Sequence, residues 1–211
     1  TPTHGQCHLD GVPMRAWTPA ALARRRSVLP QTPALGFPLT VAEVVALGRS
    51  PHARYSDRAT DQQAINSALA AAGVAHLAKR SYPDLSGGER QRVHLARVLA
   101  QMGPAGREAS QGARYLLLDE PTNNLDLAHQ QGFIATAAGL AAAGDGVLAV
   151  LHDPNLAAQY ADRLAVLADG EVHADGCPES VLTQQVMKDI FAMDTLCLRH
   201  PRSGRPYVLP A

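Results

Sequence analysis

Three apolar runs in this chain stop at polar side chains. Val28-Leu29-Pro30 runs into Gln31, Leu116-Leu117-Leu118 into Asp119-Glu120, and Leu148-Ala149-Val150-Leu151 into His152-Asp153. In an open parallel sheet, ligands bind outside the carboxyl ends of the strands. Three such runs would therefore deliver an amide, two carboxylates and an imidazole to one edge. Those types suit phosphoryl chemistry. A carboxylate after a strand can hold Mg2+, and a second can orient or deprotonate a water. A glutamine amide can contact either, and a histidine can hydrogen-bond a phosphate oxygen. Taken alone, an acidic pair after a strand serves as readily as a helix cap or a loop salt bridge.

A second element has its own rationale. Leu85-Ser86-Gly87-Gly88-Glu89-Arg90-Gln91-Arg92 is a glycine-rich entry into a helix. Glycines let the backbone approach an anion, and the following helix points unpaired N–H groups and the positive end of its dipole at it. Ser86 adds a hydroxyl donor. A bare Ser-Gly-Gly is common in loops, but the whole string is specific.

The surrounding pattern predicts the elements that position these residues. Asp10-Gly11 marks a turn after a short strand, and Thr18-Pro19 a helix start. Thr40 with Glu43 and Ser86 with Glu89 read as capping boxes. A helix is expected over 57–72, stopped by Gly73, and another over 87–102. In the latter Leu95, Val98, Leu99 and Met102 form one apolar stripe. A Gly/Pro/Ser loop follows over 103–112. Strands are expected at 115–118 and 147–151, with helices over 128–143 and 154–161. A hairpin should turn at Asp169-Gly170, between 164–167 and 171–174. Continuous apolar strands with crossover helices imply a parallel sheet covered on both faces.

The bulk numbers exclude several classes. Lys+Arg 19 balances Asp+Glu 19, so no basic excess points to nucleic acid. Arg24-Arg25-Arg26 reads as a solvated face. No apolar run approaches the roughly 18 residues that span a bilayer. Cys7, Cys177 and Cys197 are widely spaced and fit neither a disulfide framework nor a zinc site, and the simplest context is a reducing cytosol. His4, Cys7 and His8 lack a second ligand pair.

With these residues in view, the chain resembles the nucleotide-binding subunits of ABC transporters over nearly its whole length. Leu85–Gln91 is similar to the signature motif, Leu116–Glu120 to Walker B, Gln31 to the Q-loop, Asn123-Asn124-Leu125-Asp126 to the D-loop and His152 to the switch histidine. The resemblance implies an α/β P-loop NTPase (RecA-like) parallel sheet with a helical ABC subdomain, and ATP with Mg2+ as cofactors. Catalytic roles fall on Glu120 and His152, nucleotide contacts on Gln31, Ser86, Gly87, Gly88, Asp119 and Asp126, and the metal on Gln31 and Asp119. It also implies a head-to-tail homodimer, a transmembrane permease dimer, a substrate-binding protein reached through the permease, and a peripheral place on the cytoplasmic face of the inner membrane.

The expected organisation is a partial nucleotide-binding core over 1–31 and a helical subdomain over 32–103. The core resumes over 104–175, and an extension covers 176–211. Leu29-Pro30-Gln31, Phe37–Val45 and Gly48-Arg49-Ser50-Pro51-His52 resemble importers of ferric siderophores, cobalamin and haem, and the tail His200–Pro210 looks most like the haemin branch. The helical stretch between Val41 and Ala72 is expected to dock the permease. No G-x-x-x-x-G-K-[ST] phosphate loop occurs in these 211 residues. The resemblance places it ahead of Thr1–Gly5, so a chain truncated at its amino end is expected. Two alternatives are a fragment or pseudo-enzyme that does not hydrolyse, and a non-transport ABC ATPase.

Overall fold

A computed structural model describes residues 2–31, 38–103, 112–123 and 125–211. Phe37, Asn124 and most of the 103–112 loop lie outside the described residues. The chain divides into two compact units, Thr1–Ala149 and Val150–Ala211.

The first unit opens with a hairpin of β1 (His8–Leu9) and β2 (Val12–Pro13). Its turn puts Asp10 at φ 52° and Gly11 at φ 74°, the two left-handed residues that a tight type I′ turn requires. The Asp10 carboxylate accepts from Tyr115 Oη at 2.5 Å and from the Arg25 guanidinium. Helix α1 (Pro19–Arg25) starts as its sequence dictates, with Thr18 Oγ1 accepting from Ala21 N and Pro19 in the first turn. Strand β3 (Arg26–Leu29) follows directly.

Helix α2 (Val41–Ala46) carries the full Thr40–Glu43 capping box. Helix α3 (Arg58–Ala71) is capped by Asp57 and released by Gly73 at φ 66°. Helix α4 (Gly87–Met102) is the centre of the unit. Its stripe of Leu95, Val98, Leu99 and Met102 is buried. Around it pack α2, α3, β3 and the 3-10 segment Leu47–His52. At Gly48 the backbones meet: a Cβ there would lie 2.2 Å from the Arg97 carbonyl oxygen. The same segment serves the end of α4, because Arg49 Nη1 donates to Ala100 O and His52 Nε2 lies 2.8 Å from Gln101 O.

Strand β4 (Tyr115–Asp119) pairs in parallel with β3, Ser27 opposite Leu116 and Leu29 opposite Leu118. Helix α5 (Leu127–Ala142) leads to β5 (Gly146–Val150), and the strand order is β3-β4-β5. One face of the sheet, with Ser27, Leu29, Leu116 and Leu118, is buried. Among the described residues the other face is partly open. Val28 is 38% exposed and Leu148 64% exposed. A continuous apolar strand tells which residues can be buried, not whether a layer lies over them.

The ends of α4 and β4 are locked by Arg114. Its guanidinium grips Asp145 with two bonds, 2.9 Å and 2.6 Å, and donates to the Met102 and Gly103 carbonyls. Both side chains are nearly fully buried.

In the second unit, Asp153 caps α6 (Pro154–Tyr160) with Pro154 in its first turn. Strands β6 (Leu164–Ala168) and β7 (Glu171–Gly176) form the expected hairpin, with Asp169 at φ 51° and Gly170 at φ 81°. The 176–211 stretch holds more order than the sequence announced. It forms α7 (Pro178–Val181), α8 (Gln184–Phe191) and a hairpin of β8 (Thr195–Arg199) with β9 (Pro206–Pro210). Ala158, Val166, Val181, Leu182, Met187 and Val208 make the core of this unit. Asn155 pairs with both backbone groups of Val208, at 2.7 Å and 2.9 Å, and so ties α6 to β9.

Candidate active site

The register of β3 and β4 places the candidate residues. Leu29 faces Leu118, so Gln31 and Glu120 each lie two residues beyond the last pair. Gln31 Nε2 donates to Glu120 Oε2 at 2.5 Å. Asn123 Nδ2 donates to the same oxygen at 2.7 Å. Glu120 itself sits at φ 46°, left-handed for a residue with a Cβ. Such strain survives where surrounding contacts over-determine it, and it clusters at functional positions. Asp119, just before it, ends the strand with its side chain exposed.

The segment after Glu120 is stitched to two helices. Gln91 Nε2, buried on α4, donates to Pro121 O at 3.0 Å, and Gln130 Nε2 on α5 donates to Leu125 O at 3.0 Å. Asp126 begins α5. Its Oδ1 accepts from His129 N at 2.9 Å and lies 2.8 Å from His129 Nδ1. The backbone N–H, then the ring, holds the Asp126 carboxyl below its ordinary value.

Ser86 begins α4. Its hydroxyl donates to Glu89 Oε2 at 2.8 Å and accepts from Glu89 N at 3.3 Å, while Ser86 N donates to that carboxylate at 2.8 Å. Donation from the Ser86 backbone, then from its hydroxyl, holds the Glu89 carboxyl down. Ser86 and Gly87 are exposed. Gly87 and Gly88 occupy the first turn, where N–H groups have no acceptor within the helix. A helix start of this kind favours an anion.

The structure thus brings Gln31 against Glu120, with Asp119 adjacent in the chain, and sets Ser86, Gly87 and Gly88 at the exposed start of α4. His152 belongs to the second unit, where it is an exposed residue in the bend before α6. Sequence reasoning placed Asn123 and Gln91 inside motifs without a holding role. The signal for Asn123 is its spacing of three from Glu120 in a turn, where a short amide can reach back.

The family model described as ABC transporter matches residues 1–123. The chain belongs to that family. Two curated relatives are each called a hemin import ATP-binding protein. The one from Gloeobacter violaceus is 51% identical over 99% of this chain and 75% of its own length. The one from Myxococcus xanthus is 50% identical over 98% of this chain and 76% of its own length. Among solved structures, a metal-chelate type ABC transporter in an inward-facing conformation superposes with a TM-score of 0.71. It is 26% identical and covers 89% of this chain and 73% of that one. The ADP conformation of an ATP-binding cassette, 20% identical with a TM-score of 0.68, covers 88% of this chain and 76% of that one and shares the fold. As an ABC-type ATPase chain, this protein has a parallel α/β sheet that serves nucleotide chemistry. Among the described residues no helix is long and apolar enough to cross a membrane.

Proposed function

We propose that this chain is the ATP-hydrolysing subunit that powers import of haemin through a membrane permease. The observation that carries the reading is the Gln31–Glu120 contact at the ends of two parallel strands. The cargo is assigned from the relatives called hemin import ATP-binding proteins.

In this reading Glu120 orients the attacking water and takes its proton. Asn123 and Gln31 hold the carboxylate, so its placement is settled before substrate arrives. His152 meets the γ-phosphate. Ser86, with the N–H groups of Gly87 and Gly88, binds the γ-phosphate held by a second copy of the chain in a head-to-tail dimer. Asp126, which caps α5, contacts the nucleotide. Asp119 and the Gln31 amide oxygen are hard oxygen donors of the kind Mg2+ takes. When bound, Mg2+ neutralises charge developing on the phosphoryl oxygens.

The organisation follows the same reading. Residues 1–31 and 104–175 build the nucleotide core, 32–103 the helical subdomain and 176–211 an extension. The subunit works on the cytoplasmic face of the inner membrane, with α2 and α3 in the arm that meets the permease. The permease in turn receives cargo from a substrate-binding protein.

The test is haemin uptake and Mg2+-dependent ATP hydrolysis by the subunit, expressed from the start of its reading frame and assembled with its permease in vesicles. Uptake of haemin but not of a ferric siderophore or cobalamin supports the assignment. ATP-driven uptake of one of the others replaces the cargo and leaves the enzyme. An absence of hydrolysis with every cargo overturns the reading.

A further inference from the structure

Seven residues into α4, at His94, the core departs from what packing alone would select. His94 is 1% exposed, and its neighbours Val93 and Leu95 are equally buried. Its Nε2 lies 2.7 Å from Tyr82 Oη. Its Nδ1 is buried with no hydrogen-bond partner among the described residues. An orphaned polar atom in a core is costly, and a leucine at this place would avoid that cost.

The ring's hydrogen bond to Tyr82 reaches the lead-in to the signature element. Tyr82 opens the 3-10 turn Tyr82–Asp84, which runs straight into Ser86. Tyr82 is 5% exposed and meets the His94 ring edge-on, centroids 5.4 Å apart. Two arginines hold the carbonyls between them: Arg90 Nη2 donates to Pro83 O at 2.7 Å, and Arg80 Nη2 to Asp84 O at 2.9 Å. The lead-in is therefore tied to the body of α4 at Tyr82 and to its first turn at Ser86.

We infer that Tyr82 and His94 are a positioning pair for the signature element, fixing where Ser86 and the Gly87 and Gly88 amides stand when they meet a γ-phosphate. The inference rests on the ATPase reading above. Neither residue touches substrate. They act by removing freedom from a loop whose donors must be aimed before the reaction. Burial, then the Arg97 charge, pushes the His94 imidazole down to about 4, so the bond joins two neutral groups throughout the neutral pH range.

The experiment compares Tyr82→Phe, His94→Phe, the double variant and His94→Gln in the subunit assembled with its permease. Turnover, KM for ATP and melting temperature are measured for each. A neutral hydrogen bond is worth about 0.5–1.5 kcal/mol, a loss of up to roughly tenfold. The expected result is kcat lowered by about that factor in both Phe variants, with KM within about twofold. The double variant should be no slower than the singles, and His94→Gln, which keeps a polar atom in reach of Tyr82, should recover most of the rate. Phe variants that melt lower but turn over within about twofold of wild type would make the pair a structural brace and overturn the inference. If His94→Phe fails to fold, Tyr82→Phe against His94→Gln decides by the same kcat criterion. A wild type without hydrolysis overturns the ATPase reading and the inference with it. A hydrolysing wild type with unaffected variants overturns the inference alone.

Discussion

Gln31 and Glu120 are 89 residues apart in sequence, and their side chains meet at 2.5 Å. The parallel pairing of Leu29 with Leu118 makes the contact, since each residue follows its strand by the same two steps. Replacing Glu120 by Gln keeps the shape and removes the base. Turnover should fall about 10²–10⁴-fold, with nucleotide affinity little changed. Steady-state hydrolysis in the permease complex checks this, and an undiminished rate would remove Glu120 from the role.

Asn123 offers a finer test of the same carboxylate. Asn123→Ala removes one of the two amides on Glu120 Oε2. A smaller fall in kcat is expected, of about tenfold, from the loss of one hydrogen bond to a charged acceptor. Pre-steady-state measurement should show the loss in the chemical step. A change in KM alone would assign Asn123 to binding.

The Arg114–Asp145 pair is buried on both sides. Arg114→Met strands the Asp145 carboxylate and leaves the Met102 and Gly103 carbonyls without their donor. Breaking one partner of such a pair costs about 3–5 kcal/mol. Urea unfolding should show that loss, and adding Asp145→Leu should recover part of it. Arg114→Lys should not rescue, because one ammonium cannot reproduce the two-pronged grip.

Gly48→Ala tests the contact of the Leu47–His52 segment with α4. The added Cβ would sit 2.2 Å from a backbone oxygen that cannot swing away. Overpacking of this kind costs about 1–3 kcal/mol. A melting temperature equal to wild type would mean that the two segments can part freely.

His94 gives a signed pH dependence. Its folded pKa, about 4, lies below the ordinary 6.5, so the unfolded chain binds the extra proton and acid favours unfolding. The neutral ring carries no such penalty above pH 6.5. Stability is lost as pH falls from 6.5 towards 4, by about 2 kcal/mol at pH 5. His94→Phe should lose less between pH 7.5 and pH 5 by that amount, measured by urea unfolding at both values. Parallel losses in the two proteins would show that other groups set the acid sensitivity.

Local chemistry was legible residue by residue. Thr18, Thr40 and Ser86 cap the helices their spacing promised, because a cap and its target lie within four residues. Asp10-Gly11 and Asp169-Gly170 turn as their types require. The extension over 176–211 was not legible in the same way. Its two helices are short, and its hairpin tip over 200–205 carries His200 and Arg205 in place of a two-residue turn signal. The exposure of Val28 and Leu148 is not set by their residue types, since an apolar side chain does not say what covers it.

The sequence by itself determined which residues could do chemistry here: Gln31, Asp119, Glu120 and His152 at the ends of apolar runs, and Ser86 at the head of a capped helix. Only the tertiary structure decided that Gln31 and Asn123 share one oxygen of Glu120, that Gln91 holds Pro121, and that Tyr82 rests on His94. The caps follow from interactions within one turn of chain. Contacts such as Gln31 with Glu120 follow from a strand register that long-range packing sets, and no window of local sequence contains it.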